Sequence, residues 1–245
     1  VFFGSLLYKM GMTPPKIKIC GLREAAHVQF CVQLGVDYVG FVAYPKSPRH
    51  VSVAEFHSLL SYIPHKAEGS NCGISGSRFR NSASLHTECV LVTVDATNEM
   101  LDDYLNSAQY LYLQCHGNES PTRVHELKLR YGVKIIKALS IATAEDLKQA
   151  EAFKDSADML LLDAKPAEGE IAGGNARSFD WTILQSANLS LPYMLSGGLT
   201  PQNVANALRI THAPMVDVSS GVELVRGIKS PERIKEFVDA LRHAT

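Results

Sequence analysis

The sequence has no C-x-x-C pair, no H-E-x-x-H and no evenly spaced cysteine framework. Its five cysteines, Cys20, Cys31, Cys72, Cys89 and Cys115, are odd in number and widely scattered. That pattern argues against a zinc module or a disulfide scaffold and for a reduced, cytoplasmic setting. Charge of one sign is also missing: 24 Lys and Arg are interspersed with 25 Asp and Glu, leaving a formal net charge of -1. No basic surface announces nucleic acid and no acidic run suggests a solvated arm, so the expected partner is a small molecule, with neither nucleic acid nor membrane. The apolar opening "VFFGSLLYKMGMTPP" is short, lacks a basic start and an A-x-A-like site, and does not begin with Met. Residues 1–15 therefore read as leader or extraneous residues without order, with Met12 as the natural start.

What the chain does have is a 46% hydrophobic composition over 245 residues, enough for one large core. Eight apolar, β-branched runs read as strands: "KIKIC" (16–20), "YVGFVAY" (38–44), "VLVTV" (90–94), "YLYLQC" (110–115), "KIIKAL" (134–139), "DMLLLD" (158–163), "YMLSG" (193–197) and "VDVSSG" (216–221). Amphipathic stretches at 24–34, 53–62, 98–107, 121–131, 143–153, 179–187, 201–210 and 231–242 fit helices between and after them. Nearly continuous apolar strands are buried on both faces, as parallel strands covered by helices must be. The expectation is an α/β chain forming a single (β/α)₈ TIM barrel over 16–245. Ser230 before Pro231, and Thr200 before Pro201, each look like an N-cap followed by proline at the first helical position. One stretch, 65–88, is rich in Ser, Gly and Asn without a period, and reads as a mobile surface insertion at the end of the barrel away from the site.

Active sites of such barrels lie at the C-terminal ends of the strands. That filter selects Cys20, Arg49, Gln114, His116, Asp163, Gly197, Gly198 and the run Ser219, Ser220, Gly221. The small-residue turns after strands seven and eight, "SGGLTPQNV" and "VDVSSGVE", suit an anion held by backbone N–H groups, though each alone is also an ordinary turn. A further glycine pair in "IAGGNARSFDW" follows strand six. Asp163 reads either as a working carboxyl or as a turn aspartate, Arg49 as a carboxylate grip or a solvated loop residue, and His116 as a ligand-binding or a core histidine. Cys20 reads either as a catalytic residue or, more commonly for cysteine, as a small buried hydrophobe. Strand alternation puts Lys18 on the same face as Cys20, where an ammonium would favour the thiolate and lower its pKa.

Together, "KIKICGL", "GFVAYPKSPRHV", "QCHG", "LLLDAK", "GGNARSFDW", "MLSGGLTPQNV" and "DVSSGVE" followed by "GIKSPERI" resemble the phosphoribosylanthranilate isomerase family, in order, from about Lys16 to the end. The resemblance implies an Amadori rearrangement of a phosphorylated small molecule in tryptophan biosynthesis, needing no metal or organic cofactor, by a monomer or homodimer. It implies Cys20 as general base and Asp163 as general acid. Arg49 would hold the anthranilate carboxylate, and the turns at Gly197–Gly198 and Ser219–Gly221 the phosphate. Gln114, His116, Gly174 and Asp217 complete the expected substrate-binding set, and Lys18 joins it on strand alternation alone. Two departures stand out: Cys115 where the family commonly has Leu, on the outward face, and Asn175–Ala176 in the glycine loop. A histidine-pathway isomerase of the same barrel type would pair two carboxylates, whereas strand one here ends in Cys20. A catalytically silent barrel would have lost the acid or the base, and neither is lost.

Overall fold

Strand formation follows the apolar runs closely. The computed structural model describes residues 14–64, 86–106, 111–165 and 178–244. Eight strands, β1 (Lys16–Cys20), β2 (Tyr38–Val42), β3 (Glu88–Thr93), β4 (Leu111–Cys115), β5 (Lys134–Ile141), β6 (Met159–Ala164), β7 (Tyr193–Leu195) and β8 (Met215–Val218), pair in parallel and in chain order. The ring closes where Lys18 of β1 lies opposite Asp217 of β8. Alternation then divides the side chains into two cores. Ile17 and Ile19 join the large outer cluster beneath the helices, with Cys115 among its members. Cys20, Tyr38, Val90, Tyr112, Ile136, Leu161, Met194 and Met215 belong to the smaller cluster inside the barrel.

Among the described residues, six α-helices cover the outside: α1 (Ala25–Gln33), α2 (Val53–Leu60), α3 (Asn98–Leu105), α4 (Pro121–Tyr131), α5 (Val204–Thr211) and α6 (Pro231–Ala244). Ser52 and Glu55 form a capping box on α2, and Ser120 caps α4 ahead of Pro121. Ser230 caps α6 as expected, accepting from the Arg233 N–H at 3.2 Å.

Three local expectations need correction. The stretch 143–153 forms a 3₁₀ segment, Asp146–Phe153, because the Asp146 carboxylate accepts from the N–H groups of Ala142 and Thr143 and winds the entry tightly. The stretch 179–187 yields only a single 3₁₀ turn, Trp181–Leu184, before the turn-forming residues Asn188, Ser190 and Pro192. Thr200 does not cap a helix beginning at Pro201. Asn203 accepts from the Thr200 N–H and donates to Gly198 O, closing a turn over 201–203, so α5 opens only at Val204. The structure also adds a short antiparallel hairpin after β8, β9 (Glu223–Val225) with β10 (Ile228–Lys229). Of the earlier expectations, the leader 1–15 apart from Pro14 and Pro15, the insertion at 65–88 apart from its last three residues, and Gly174 lie outside the described residues.

Candidate active site

A pocket opens at the C-terminal mouth of the barrel, lined by residues from seven strands or the loops that follow them, with Val92 and Val94 from β3 and its loop. Cys20 ends β1, Arg49 follows β2, Gln114 and His116 come from β4, Asp163 from β6, Ser196 follows β7, and Asp217 and Ser219 come from β8. Seven of the residues expected from sequence therefore meet in one cavity. Lys18 lies beneath it, wholly covered. Gly197, Gly198, Ser220 and Gly221 stand beside it in the loops after β7 and β8. Gly197 takes a left-handed φ of 85°, and a Cβ there would lie 2.6 Å from Ala164 N. A Cβ on Gly221 would lie 1.9 Å from Leu199 O, so only glycine lets the β8 turn press against the β7 loop. Those two turns thus form one small-residue wall.

The floor of the pocket is a hydrogen-bonded chain of side chains. Lys18 Nζ donates to Gln114 Oε1 and to Asp217 Oδ1, each at 2.8 Å. Asp217 Oδ2 accepts from Ser196 Oγ at 3.1 Å. Gln114 Nε2 lies 2.7 Å from His116 Nδ1, and His116 Nε2 lies 3.4 Å from Asp163 Oδ2. Asp163 Oδ1 accepts from the Ala164 N–H at 2.9 Å. Burial works against the charge of Lys18, but the Asp217 carboxylate and the Cys20 thiol hold its pKa above the ordinary lysine value.

The expectation that Lys18 leaves Cys20 with a lowered pKa is overturned. Burial pushes the thiol up and Asp217 adds to the rise, and the opposing pull of Lys18, reinforced by Lys229, does not overcome them. The proposed attraction is present, but its net outcome is reversed. Nor is Lys18 a free ligand for substrate. Of its three donors, two go to Gln114 and Asp217, and its ammonium faces the thiol of Cys20.

Arg49 is not a solvated loop residue: it is buried, and its Nε and Nη2 donate to the two carboxylate oxygens of Glu223 at 2.7 and 2.9 Å. Among the described residues, no hydrogen bond engages Nη1 of the same fork. Its stem passes over Gly21, where φ is 78° and a Cβ would meet Arg49 Cδ at 2.6 Å. Glycine after Cys20 therefore makes room for Arg49. Glu223 is held in turn by Lys229 Nζ at 2.8 Å, and Lys229 also donates to Ser219 O at 2.9 Å. Burial favours the neutral form of Glu223, yet Arg49 and Lys229 hold its pKa below the usual carboxylate value. Burial depresses Lys229, which Glu223 opposes and Arg49 reinforces. Sequence reasoning missed Glu223, Lys229, Ser196 and Gly40. Only Gly40 carried a local signal, a glycine inside a strand, which marks a close approach; a Cβ there would lie 2.9 Å from Cys20 Sγ.

Comparison with known proteins agrees with this geometry. Residues 74–240 match the family model "N-(5'phosphoribosyl)anthranilate (PRA) isomerase". The chain is 42% identical over 232 residues to the N-(5'-phosphoribosyl)anthranilate isomerase of Rhodospirillum rubrum, covering 94% of this chain and 99% of that one. It is 41% identical over 232 residues to the isomerase of Parvibaculum lavamentivorans, with the same coverage. The crystal structure of phosphoribosyl anthranilate isomerase from Thermotoga maritima superposes with a TM-score of 0.76 at 29% identity, covering 94% of this chain and 99% of that one. A structure of the isomerase in complex with reduced 1-(o-carboxyphenylamino)-1-deoxyribulose 5-phosphate gives 0.74 at 27% identity, with the same coverage. With its barrel, its pocket and its relatives in agreement, the chain belongs to the N-(5'-phosphoribosyl)anthranilate isomerase family.

Proposed function

We infer that the chain converts N-(5'-phosphoribosyl)anthranilate into 1-(o-carboxyphenylamino)-1-deoxyribulose 5-phosphate, with Asp163 as general acid and Cys20 as general base. The observation that carries this reading is that a carboxyl from β6 and a thiol from β1 face one pocket from different strands of the barrel. Asp163 gives its proton to the furanose ring oxygen as the C1'–O bond breaks and the nitrogen lone pair forms the iminium. Cys20, acting as the thiolate that Lys18 and Lys229 favour against burial, then takes the proton from C2' to become the thiol, and the C–H electrons form the C1'=C2' bond of the enolamine. Loss of the C2' hydroxyl proton and protonation at C1' complete the ketone. Each transfer lies within the range general acid–base catalysis supplies, about 10²- to 10⁴-fold.

The remaining groups fit the two anionic ends of the substrate. The Nη1 end of Arg49 suits the anthranilate carboxylate, because its other edge is fixed by Glu223. The wall made by Gly197–Gly198 and Ser219–Gly221 suits the phosphate. In Cys20→Ala and Asp163→Ala, turnover followed by the decay of substrate fluorescence should fall by at least about 10²-fold, with substrate affinity largely kept. Full turnover in either variant removes that residue from its role.

A further inference from the structure

We propose that Gln114 is a positioning residue that locks His116 as a neutral imidazole with its proton on Nε2, so that Asp163 faces an N–H dipole rather than a full positive charge. The proposal rests on the reading of Asp163 as general acid.

The argument starts from Lys18. An ammonium can only donate, so the Gln114 atom 2.8 Å from Lys18 Nζ must be the carbonyl oxygen. The other end of the carboxamide is then its NH₂, which faces His116 Nδ1 at 2.7 Å. Two donors cannot share that contact, so Nδ1 is bare and the single ring proton sits on Nε2. Turning the carboxamide over would set its NH₂ against the ammonium. Lys18 is itself fixed: it is 0% exposed, and Asp217 anchors it with a second oxygen tied to Ser196. Lys18, Asp217 and Gln114 are thus engaged with one another, and the result is delivered at His116, whose Nε2 is the nitrogen 3.4 Å from Asp163. Catalytic contacts of this length commonly tighten only in the substrate complex.

The consequence is electrostatic. An imidazolium beside Asp163 would favour the carboxylate and strip the acid of the proton it must donate. The charged and titratable groups around His116 include several that could promote or oppose that change. Asp163 faces it from β6, Cys20 and Lys18 from β1, and Asp217 from β8. Tyr44 and Arg49 reach the same pocket from the loop after β2 and Arg226 from the β9–β10 hairpin; β3 and its loop line it with Val92 and Val94, and Asp95 of that loop packs against Gly117, the residue after His116. Asp163 would favour a second proton on the ring. The donor held against Nδ1 opposes it.

The test combines ¹⁵N spectra of the His116 ring with kcat and KM against pH, in the full chain and in Gln114→Glu and Gln114→Met. The full chain should show a neutral ring protonated at Nε2 at neutral pH. Gln114→Glu sets a carboxylate against Nδ1, so the ring should become imidazolium. The alkaline limb of its kcat profile should move about one pH unit or more toward acid, with KM changed less than kcat. Gln114→Met, which keeps the volume, should show mixed tautomers and a lowered kcat. An Nδ1-protonated or charged ring in the full chain overturns the proposal, as does an unmoved kcat profile in a folded Gln114→Glu. Asp163→Asn separates the two readings. Retained turnover there removes the acid itself, whereas lost turnover together with an unmoved Gln114→Glu profile sinks the lock alone.

Discussion

Two buried lysine–carboxylate pairs sit on opposite sides of the same sheet. Lys18 and Asp217 meet at 2.8 Å inside the barrel, and Lys137 and Glu119 meet at 2.7 Å outside it. Both are covered almost completely, and both are strengthened by further hydrogen bonds. What differs is what each pair touches. Lys137 donates to the carbonyls of Cys115 and Gly117 and stands 5.7 Å from the centre of the Phe153 ring, so it fixes the turn after β4 to the outer layer. Lys18 faces a thiol and an amide that both line the pocket. Burial and pairing therefore do not by themselves mark a working residue. The side of the sheet does, because alternation sends one face to the helices and the other to the mouth of the barrel.

The largest effect that sharpens this contrast is expected at Lys18. Lys18→Met leaves Asp217 uncompensated and frees Gln114 to turn. Turnover should fall by about 10²-fold or more, and alkylation of Cys20 near neutral pH should slow, because the cation that opposes the rise of its pKa is gone. Stability should fall too, by about 3–5 kcal/mol, the usual cost of breaking a buried pair. An unchanged alkylation profile would remove the coupling between Lys18 and the thiol. Lys137→Met should carry the same order of stability loss, about 3–5 kcal/mol, read from the denaturant midpoint, yet keep kcat and its pH profile close to those of the unaltered chain. If Lys137→Met lost turnover as completely as Lys18→Met while still folded, the division between the two faces would fail.

A milder effect is expected at Glu223, which has no part in either proton transfer. Glu223→Gln removes one charge-assisted edge from Arg49 and leaves Lys229 and Arg49 without a shared counter-ion. The cost of losing a hydrogen bond to a charged group, about 1.5–3 kcal/mol, should fall on substrate affinity. A rise in KM of about tenfold with kcat nearly unchanged is the expected result, and a loss confined to kcat would contradict the role given to Arg49.

The sequence made some of this legible and concealed the rest for physical reasons. Strands and site residues on β1, β4 and β6 announce themselves because strand period and strand ends are local properties. The partners of those residues do not. Arg49 and Glu223 are 174 positions apart, Lys18 and Asp217 are 199 apart, and only barrel closure brings them together. The hairpin that carries Glu223 and Lys229 has strands of three and two residues, too short to show a period. The sign of the Cys20 shift was misread for a related reason. Alternation revealed the lysine beneath the thiol, but the depth of burial and the carboxylate of Asp217 on β8 are products of the closed ring.

The smallest expected effect again contrasts the two faces, through their thiols. Cys31 on α1 and Cys115 on β4 belong to the outer core and serve only packing, and burial pushes each thiol from 9.0 up to about 12. A group whose folded pKa is raised contributes stability that is complete below the unfolded value and is lost as pH climbs through the folded one. Below pH 9 both states hold the proton and these thiols give no slope. Between about 9 and 12 only the unfolded chain ionises, so stability should decline by up to about 1.4 kcal/mol per pH unit for each thiol. Cys31→Ala should remove one such contribution, giving a shallower alkaline decline in denaturant midpoint than the unaltered chain shows, from a starting stability somewhat lower because packing is lost. Turnover near neutral pH should not change, since the residue faces away from the pocket. A parallel decline in the two chains would mean that Cys31 ionises as easily folded as unfolded, which the dry outer layer does not permit.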